Sequence, residues 1–248
     1  MQISKYNASG NDFVIFHAFK EIDRSELAVR LCDRQKGIGA DGLIVLLPHD
    51  EYDFKWQFYN SDGSVAEMCG NGTRACAHYA YTNGLADEKM DFLTLSGVIT
   101  SSVDGNIVET VLSDPKKMSE PFEEEGHLWY FYDTGVPHLV TFIDDLDRFD
   151  LKLASKMRYA RNANVNFASI KKNTLHVRTY ERGVEGETLA CGTGMAASFY
   201  SANQSGKLGD FVEVYPASQE RLELRLEHGR LYFKGKVSKV FDTIVDVV

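Results

Sequence analysis

The sequence predicts an α+β protein with two pseudo-symmetric lobes of mostly antiparallel sheet, each around a central helix. Three observations lead to this fold class. Many short β-prone runs are joined by tight turns, which favours antiparallel sheets because parallel strands need long crossovers. The same order of elements occurs in both halves of the chain. Each half also carries one Cys-Gly-x-Gly cassette, followed by the small and apolar residues typical of a buried helix.

The first half begins with a β-prone segment at 12–18, followed by a capping-box pattern that predicts a helix start at 23–26. Strands are expected at 43–47 and at 54–59, where apolar and polar residues alternate. The first cassette, Cys69–Gly72, begins a helix that we expect to end near Asn83-Gly84. Strands at 92–95, 98–103 and 107–112 follow, and an Asp104-Gly105 turn joins the last two.

The second half repeats this plan, with strands predicted at 128–133, 138–143, 165–170 and 175–180. The second cassette, Cys191–Gly194, begins a helix that ends near Ser205-Gly206. Strands at 211–215, 222–226, 231–234 and 243–248 complete the pattern, while the acidic run at 123–125 is typical of a solvated loop. Asp114-Pro115 marks the expected boundary. Residues 1–114, joined by 238–248, would form the N-terminal lobe and residues 115–237 the C-terminal lobe, with the active site in the cleft between them.

Composition narrows the functional class. Of the 248 residues, 44% are hydrophobic and 25% are charged, as in ordinary globular proteins. No apolar run reaches the roughly 18 residues of a membrane span, and the N-terminus lacks a signal-peptide pattern, so we expect a cytoplasmic protein with no membrane partner. A net charge of −9 without a basic cluster argues against nucleic acid. The four cysteines form no CxxC pair, so no structural metal site is expected.

The cassettes carry the most specific chemistry. A cysteine at a helix N-terminus meets exposed N–H groups and the helix dipole, which can lower a thiol pKa to about 3.5–7.5. The cassette glycines allow close approach of a ligand to these N–H groups, which suits a carboxylate. Two matched thiols suit the removal of a proton from one face of a carbon and its return on the other. The remaining cysteines, Cys32 and Cys76, are expected in the core.

The residues around both cassettes match a known pattern. Asn60–Ser64 with Met68–Arg74, and Tyr180–Gly183 with Glu187–Gly194, resemble the two active-site signatures of the diaminopimelate epimerase family. Lys5–Phe13 is similar to the start of that family, and the resemblance extends over the whole chain. It implies the family's two-lobed fold and an isomerase without a cofactor. Such an enzyme interconverts LL- and meso-2,6-diaminopimelate in lysine and peptidoglycan-precursor biosynthesis. It also implies a small diamino acid substrate and a homodimer.

The resemblance implies specific roles as well. Cys69 and Cys191 would be the acid/base pair, and His138 and Glu181 would lie near the thiols and help set their protonation. The residues implied in substrate binding are Asn11, Asn60, Gly70, Asn71, Asn164, Glu181, Arg182, Gly192 and Thr193. No metal ligand is implied.

Two positions depart from the family pattern. Val136 stands where the family commonly has asparagine, and Gly42 stands where some members have glutamine. The side-chain contacts of those residues with substrate are expected to be missing.

Two other functions remain open at this point. A racemase of the same fold could act on another amino acid, such as proline or hydroxyproline. A non-catalytic relative could bind an amino acid or another protein. The Glu181-Arg182 pair and the polar asparagines favour a substrate with a second charged end, and a cysteine in each half argues against the non-catalytic relative.

Overall fold

A computed structural model describes residues 1–246, which divide into two compact units. The first unit contains residues 1–110 and 235–246, and the second contains residues 111–234. Within the described residues, strands greatly outnumber helices, and the expected α+β class is confirmed.

The first unit is a mixed sheet with two helices. In chain order, its elements are β1 (Gln2–Ala8), β2 (Asn11–His17), α1 (Ser25–Cys32), β3 (Gly42–Leu47), β4 (Phe54–Asn60), α2 (Gly70–Thr82), β5 (Lys89–Thr94), β6 (Gly97–Asp104) and β7 (Ile107–Val111). A last strand, Ser238–Ile244, pairs with β1 in the antiparallel direction. The pairings β2–β3 and β4–β5 are parallel, and the helix between each pair supplies the crossover.

The second unit repeats this pattern. Its elements are β8 (Lys116–Glu124), β9 (His127–Asp133), β10 (Pro137–Phe142), α3 (Leu151–Arg161), β11 (Asn164–Lys171), β12 (Thr174–Glu181), β13 (Gly186–Thr188), α4 (Gly192–Gln204), β14 (Phe211–Tyr215), β15 (Leu222–Glu227) and β16 (Arg230–Lys236). The strand Ser238–Ile244 of the first unit is β17 in this order. The pairings β10–β11 and β12–β14 are parallel, and α3 and α4 lie in the two crossovers.

The two units share one internal topology. Each begins with an antiparallel hairpin, which is followed by a parallel crossover through a helix. A second antiparallel hairpin then leads to a second parallel crossover, which contains the cassette helix. A third antiparallel hairpin follows that crossover. The cassette helices α2 and α4 therefore occupy equivalent places in two copies of one plan. This agrees with the duplication that the sequence predicts.

Each cassette helix is the buried centre of its unit. Helix α2 packs Ala75, Cys76 and Tyr79 into a core that includes Phe13 and Phe92. Helix α4 buries Met195, Phe199 and Ala202 and contacts β10, β11 and β12. Burial of this kind holds the first turn of each helix in a fixed position. Any group attached to that turn is held with it.

Four expectations need correction. Helix α3 was not predicted, although Asp150 caps its start by accepting hydrogen bonds from the N–H groups of Lys152 and Leu153. The acidic run at 123–125 was expected in a loop, but Glu123 and Glu124 belong to β8, where they pair with β9. The capping box at 23–26 forms only in part: Asp23 Oδ1 accepts from the N–H of Ser25 at 2.9 Å and from its hydroxyl at 2.7 Å, but the N-cap residue is Arg24, which provides no side-chain cap.

The fourth correction concerns the end of the chain. The last strand was expected at 243–248, but it spans Ser238–Ile244 and pairs with β1. Residues 247 and 248 lie outside the described part of the chain.

Candidate active site

The first cassette lies at the start of the buried helix α2. Cys69 is the N-cap residue, with extended backbone angles, and its Sγ accepts a hydrogen bond from the N–H of Gly72 at 3.3 Å. An N-cap side chain that accepts from the first turn takes the place of the usual serine or aspartate. The predicted position of this thiol at a helix N-terminus is confirmed. The N–H groups of Gly70 and Asn71 belong to the same first turn.

Asn11, at the start of β2, lies against this thiol. Its Oδ1 is 3.4 Å from Cys69 Sγ, and its Nδ2 donates to Asp41 Oδ2 at 2.6 Å. Since only the amide nitrogen can donate to a carboxylate, this second bond fixes the orientation of the amide. A carbonyl oxygen therefore faces the sulfur, and this oxygen accepts a hydrogen bond from an S–H group.

A network of charges holds Asn11 in place. Arg34 bridges Asp12 and Asp41 at 2.8 and 2.7 Å, and Lys5 contacts both Asp12, at 2.7 Å, and the carbonyl of Gly39. Burial alone would raise the pKa of Asp12, but hydrogen bonds from Arg34 and Lys5 outweigh it and hold the pKa at about 2. Asp12 is therefore ionised at neutral pH, and the network is intact there.

Asn71 is fixed from beneath by a buried arginine that sequence reasoning did not single out. Arg74, which is fully buried in α2, donates to Asn71 Oδ1 at 2.7 Å and to Ser9 Oγ at 2.8 Å. The i and i+3 spacing on a helix brings the two side chains together. Arg74 thus joins the first turn of α2 to the β1–β2 turn, which precedes Asn11.

Asn60, at the end of β4, is exposed. Its Nδ2 donates to Ser64 Oγ at 2.9 Å within the loop that follows the strand. This hydrogen bond stabilises the loop.

The second cassette lies at the start of α4. Cys191 is the N-cap residue, again with extended backbone angles and largely buried. Its Sγ lies 3.5 Å from the hydroxyl of Thr193. Thr134 donates to the backbone carbonyl of Thr193 at 2.8 Å and fixes that residue from the preceding hairpin. The predicted helix N-terminus is therefore present in this unit too.

His138 is fully buried beneath this cassette. Its Nε2 is 2.9 Å from Thr193 Oγ1, and its Nδ1 is 3.0 Å from Asn166 Nδ2. Desolvation, together with the positive charge of Arg182, lowers the pKa of His138 to about 3. The imidazole is thus neutral at physiological pH.

Asn164 and Arg182 meet at the edge of the same site. The backbone N–H of Arg182 donates to Asn164 Oδ1 at 2.7 Å, and the Arg182 guanidinium donates to the carbonyl of Asn162 at 3.0 Å. Asn164 Nδ2 lies 3.4 Å from His138 Nε2. Glu181, the last residue of β12, directly precedes Arg182. The structure therefore brings His138, Asn164 and Arg182 to the second cassette.

One of the two positions that depart from the family pattern has a structural explanation. A β-carbon at Gly42 would lie 2.6 Å from Phe58 Cε2, so the aromatic ring occupies the space that a side chain would need. The backbone carbonyl of Val136 accepts from the N–H of Thr134 at 3.2 Å and closes the turn between β9 and β10. Any residue could make this bond, so nothing in the structure explains the valine side chain.

The other two cysteines are core residues, as expected. Cys32 and Cys76 are 2% and 0% exposed. Burial raises the pKa of Cys32 to about 12 and that of Cys76 well above its ordinary value. Neither thiol is poised to ionise at neutral pH.

Comparison with known proteins identifies the family of this chain. The sequence profile described as diaminopimelate epimerase matches residues 3–117 and 130–240. The chain belongs to the diaminopimelate epimerase family. It is 59% identical to the diaminopimelate epimerase of a Nitratiruptor species over 244 residues, and 54% identical to that of Campylobacter lari over 243 residues. Both alignments cover 98% of each chain.

Solved structures add a fold relationship. A probable proline racemase from Agrobacterium radiobacter K84 superposes with a TM-score of 0.76 at 12% identity, covering 100% of this chain and 93% of the other. At that identity the likeness concerns the fold alone. It shows that this chain and that protein share a fold.

Residues 1–246 contain neither a candidate metal site nor a candidate membrane-spanning helix. No group of three or more histidine, cysteine, aspartate or glutamate side chains is arranged to hold a metal ion there. No helix in that range has the length and apolar character that crossing a membrane requires.

Proposed function

We propose that this protein is a diaminopimelate epimerase that interconverts LL- and meso-2,6-diaminopimelate by proton transfer at the α-carbon, without a cofactor. Membership of the family and full-length relatives that carry this name at more than 50% identity support the reaction. One observation carries the mechanism. Each of two duplicated units holds a cysteine as the N-cap residue of a buried helix.

Each helix N-terminus supports acid–base chemistry at a carbon next to a carboxylate. In the proposed reaction, the N–H groups of Gly70 and Asn71, and those of Gly192 and Thr193, hold the substrate carboxylate. Negative charge grows on that carboxylate as the α-proton leaves, and preorganised N–H donors stabilise it. The α-proton passes to one sulfur, and the other sulfur delivers its proton to the opposite face. The charges of the two thiols exchange in each turnover.

The contacts of the two sulfurs differ in a way that supports separate starting roles. The Asn11 carbonyl oxygen faces Cys69 Sγ, which favours a protonated thiol able to donate to it. The Thr193 hydroxyl faces Cys191 Sγ and can donate to it, which favours a thiolate. In the resting enzyme, Cys191 is then the base and Cys69 the acid. The reverse reaction starts from the opposite protonation states.

The second charged end of diaminopimelate fits the polar residues beside the cassettes. The Arg182 guanidinium suits the distal carboxylate, and Glu181 suits an ammonium group. The proposed amide contacts come from Asn11, Asn60 and Asn164. Proline and hydroxyproline lack a distal ammonium and carboxylate and would make neither of these charged contacts.

The proposal is tested by a substrate panel with the purified protein and no added cofactor. LL-diaminopimelate, meso-diaminopimelate, L-proline and trans-4-hydroxy-L-proline are each incubated, and the stereoisomers are separated chromatographically. We expect LL- and meso-diaminopimelate to interconvert and the imino acids to remain unchanged. Racemisation of an imino acid without conversion of diaminopimelate would replace the proposal by the racemase alternative. No conversion of any substrate would support the non-catalytic alternative.

We also propose that the protein works in the cytoplasm as a homodimer, in lysine and peptidoglycan-precursor biosynthesis. The family resemblance supports this, and β17 presents the exposed apolar side chains of Val240, Phe241 and Ile244. Sedimentation equilibrium of the full chain tests the assembly. A mass of twice 27.9 kDa is expected, and a monomer at micromolar concentration would contradict the proposal.

A further inference from the structure

Asn166 has no role in the mechanism so far, yet it is the most completely bonded side chain beneath the second cassette. It lies in β11 and is fully buried. Its Nδ2 donates to the carbonyl of Leu139 at 2.9 Å and lies 3.0 Å from His138 Nδ1, while its Oδ1 accepts from Thr179 Oγ1 at 2.9 Å. Both hydrogens of the amide nitrogen therefore have acceptors.

These bonds fix which way the amide points. A backbone carbonyl can only accept, so the atom of Asn166 that lies next to Leu139 O must be the amide nitrogen. The same nitrogen is then the neighbour of His138 Nδ1. An amide nitrogen has no acceptor capacity, so Nδ1 must accept the hydrogen bond.

The tautomer of His138 follows from this. The ring is neutral because burial lowers its pKa to about 3, and a neutral imidazole carries one hydrogen. With Nδ1 as acceptor, that hydrogen is on Nε2. The alternative tautomer would set Nδ1–H against an amide N–H at 3.0 Å. In the Nε2–H tautomer, the donor–donor contact is the longer one, between Nε2–H and Asn164 Nδ2 at 3.4 Å. The Asn164 amide can instead donate to the Pro137 carbonyl.

The hydrogen on Nε2 determines what the Thr193 hydroxyl does. Nε2–H donates to Thr193 Oγ1 at 2.9 Å, so the hydroxyl is an acceptor toward the ring. Its own hydrogen is then available to Cys191 Sγ at 3.5 Å. A donated hydrogen bond stabilises the thiolate form of a cysteine over the thiol.

We propose that Asn166 is a positioning residue that acts through the His138 tautomer to direct the Thr193 hydroxyl hydrogen toward Cys191 Sγ. The chain of contacts runs from Asn166 to His138, Thr193 and Cys191, and all of it lies within the second unit. The first cassette differs, because Cys69 Sγ faces the Asn11 carbonyl oxygen, to which a thiol can donate, as well as a backbone N–H. The inference rests on the proposed function, because it gives one of the two thiols its starting charge.

The first test reads the tautomer in the unsubstituted protein. Long-range ¹H–¹⁵N correlation spectra of the ¹⁵N-histidine-labelled full chain distinguish a protonated from an unprotonated ring nitrogen. A His138→Gln variant assigns the signal by its disappearance. We expect Nε2 protonated and Nδ1 unprotonated at pH 7. A protonated Nδ1, in either the other tautomer or an imidazolium, would overturn the proposal.

The second test measures both thiols in the same molecule. Wild-type protein and its variants are treated with limiting iodoacetamide at pH 7, and alkylation of the Cys69 and Cys191 peptides is followed separately by mass spectrometry. In Thr193→Val, which loses only the hydroxyl, Cys191 should react about tenfold more slowly, since a one-unit rise of the thiol pKa reduces the thiolate fraction by that factor. Thr193→Ser keeps a hydroxyl and should restore most of the rate. Cys69 serves as the internal control.

A double-mutant cycle connects Asn166 to that effect. Asn166→Ala should slow alkylation of Cys191 but not of Cys69. If Asn166 acts through the Thr193 hydroxyl, the Asn166→Ala substitution should not slow alkylation of Cys191 any further in the Thr193→Val background. The hydroxyl contact that Asn166 controls is already absent there. Additive effects in the cycle would overturn the proposal, as would equal slowing of both cysteines. If Asn166→Ala fails to fold, the tautomer measurement on the unsubstituted chain decides.

Neither test uses substrate, so their outcomes are separate from that of the proposed reaction. The expected tautomer and alkylation pattern without conversion of diaminopimelate would contradict only the substrate assignment. Conversion of diaminopimelate without that pattern would contradict only the proposed role of Asn166.

Discussion

The two cassettes have the same sequence pattern and the same place in the topology, but different groups face their sulfur atoms. Cys69 contacts a backbone N–H and the carbonyl oxygen of Asn11. Cys191 contacts the Thr193 hydroxyl, which belongs to a buried network of neutral side chains around His138. In the proposed mechanism, the two equivalent helix N-termini therefore differ through their neighbours: the Asn11 carbonyl oxygen favours a protonated Cys69, and the Thr193 hydroxyl favours a deprotonated Cys191.

The supports of the two cassettes also differ in their electrostatics. Behind Asn11 lies a partly exposed cluster of ions, in which Asp12 and Asp41 pair with Arg34. Behind Cys191 lies a buried network in which desolvation holds His138 neutral. In the first arrangement, Asp12 stays ionised down to a pH of about 2. The second is disrupted once the imidazole takes up a proton.

The largest expected effect comes from removing either thiol. Cys69→Ser and Cys191→Ser should each lower kcat by roughly 10²–10⁴, the range for a general acid or base, because a serine hydroxyl is a much weaker acid than a thiol. Steady-state kinetics in both directions of the reaction measure this. Cys32→Ala, a change to a buried core thiol, is the control and should keep most of the activity. A single-cysteine variant with more than about a tenth of the wild-type rate would show that the two cassettes are not both required.

A smaller effect distinguishes the two cassettes by their packing. A β-carbon at Gly194 would lie 2.3 Å from Asn166 Oδ1, whereas one at Gly72 would meet no atom closer than Cys69 Cβ at 3.3 Å. Gly194→Ala must displace a buried amide and should cost about 1–3 kcal/mol of unfolding free energy. Gly72→Ala should cost less, because the higher helix propensity of alanine, about 1 kcal/mol, offsets the tighter contact. Denaturant unfolding of the pair measures the difference, and equal losses would refute the packing argument.

A third prediction uses pH. His138 has a folded pKa of about 3, below the ordinary value of 6.5, so the unfolded state binds a proton that the folded state does not bind. Stability from this residue is full above pH 6.5 and declines as pH falls toward 3. Between pH 7 and pH 5 the decline should be about 2 kcal/mol.

Hydrogen exchange of peptides from β10 and β11, corrected for intrinsic rates, measures this decline. A His138→Asn variant is the matched control and should lose most of the pH dependence, because asparagine does not titrate. Peptides from the ion cluster of the first unit should change little in this range, because Asp12 stays ionised down to a pH of about 2. The same slope in wild type and variant would show that His138 is not the titrating group.

The sequence was most informative where the relevant structure is local. A cysteine followed by Gly-x-Gly and then small residues predicts an N-cap and a buried helix from adjacent positions, and both ends of α2 and α4 were confirmed. The duplication was visible for the same reason, because strand order and cassette spacing can be read along the chain. Helix α3 was missed because only Ala154 and Met157 are buried in it, which leaves little apolar periodicity.

The parts that could not be predicted depend on register between distant strands. Asn162, Asn164 and Asn166 are equally prominent in the sequence. Only the parallel pairing of β10 with β11, which sets His138 opposite Asn164, brings Asn166 to the imidazole. Arg74 lies within the first family signature, but the sequence does not show what it binds, because one of its partners, Ser9, is in a turn far away in the chain.

The central claim is that two thiols, one charged and one protonated, act on opposite faces of the same carbon. Solvent deuterium tests it most directly. LL-diaminopimelate is incubated with the enzyme in D₂O, and product and residual substrate are analysed separately at low conversion. Two bases predict meso product with one deuterium at the inverted α-carbon and residual substrate without deuterium. Deuterium in the residual substrate at the same rate as in product would show a single base serving both faces and would contradict the account.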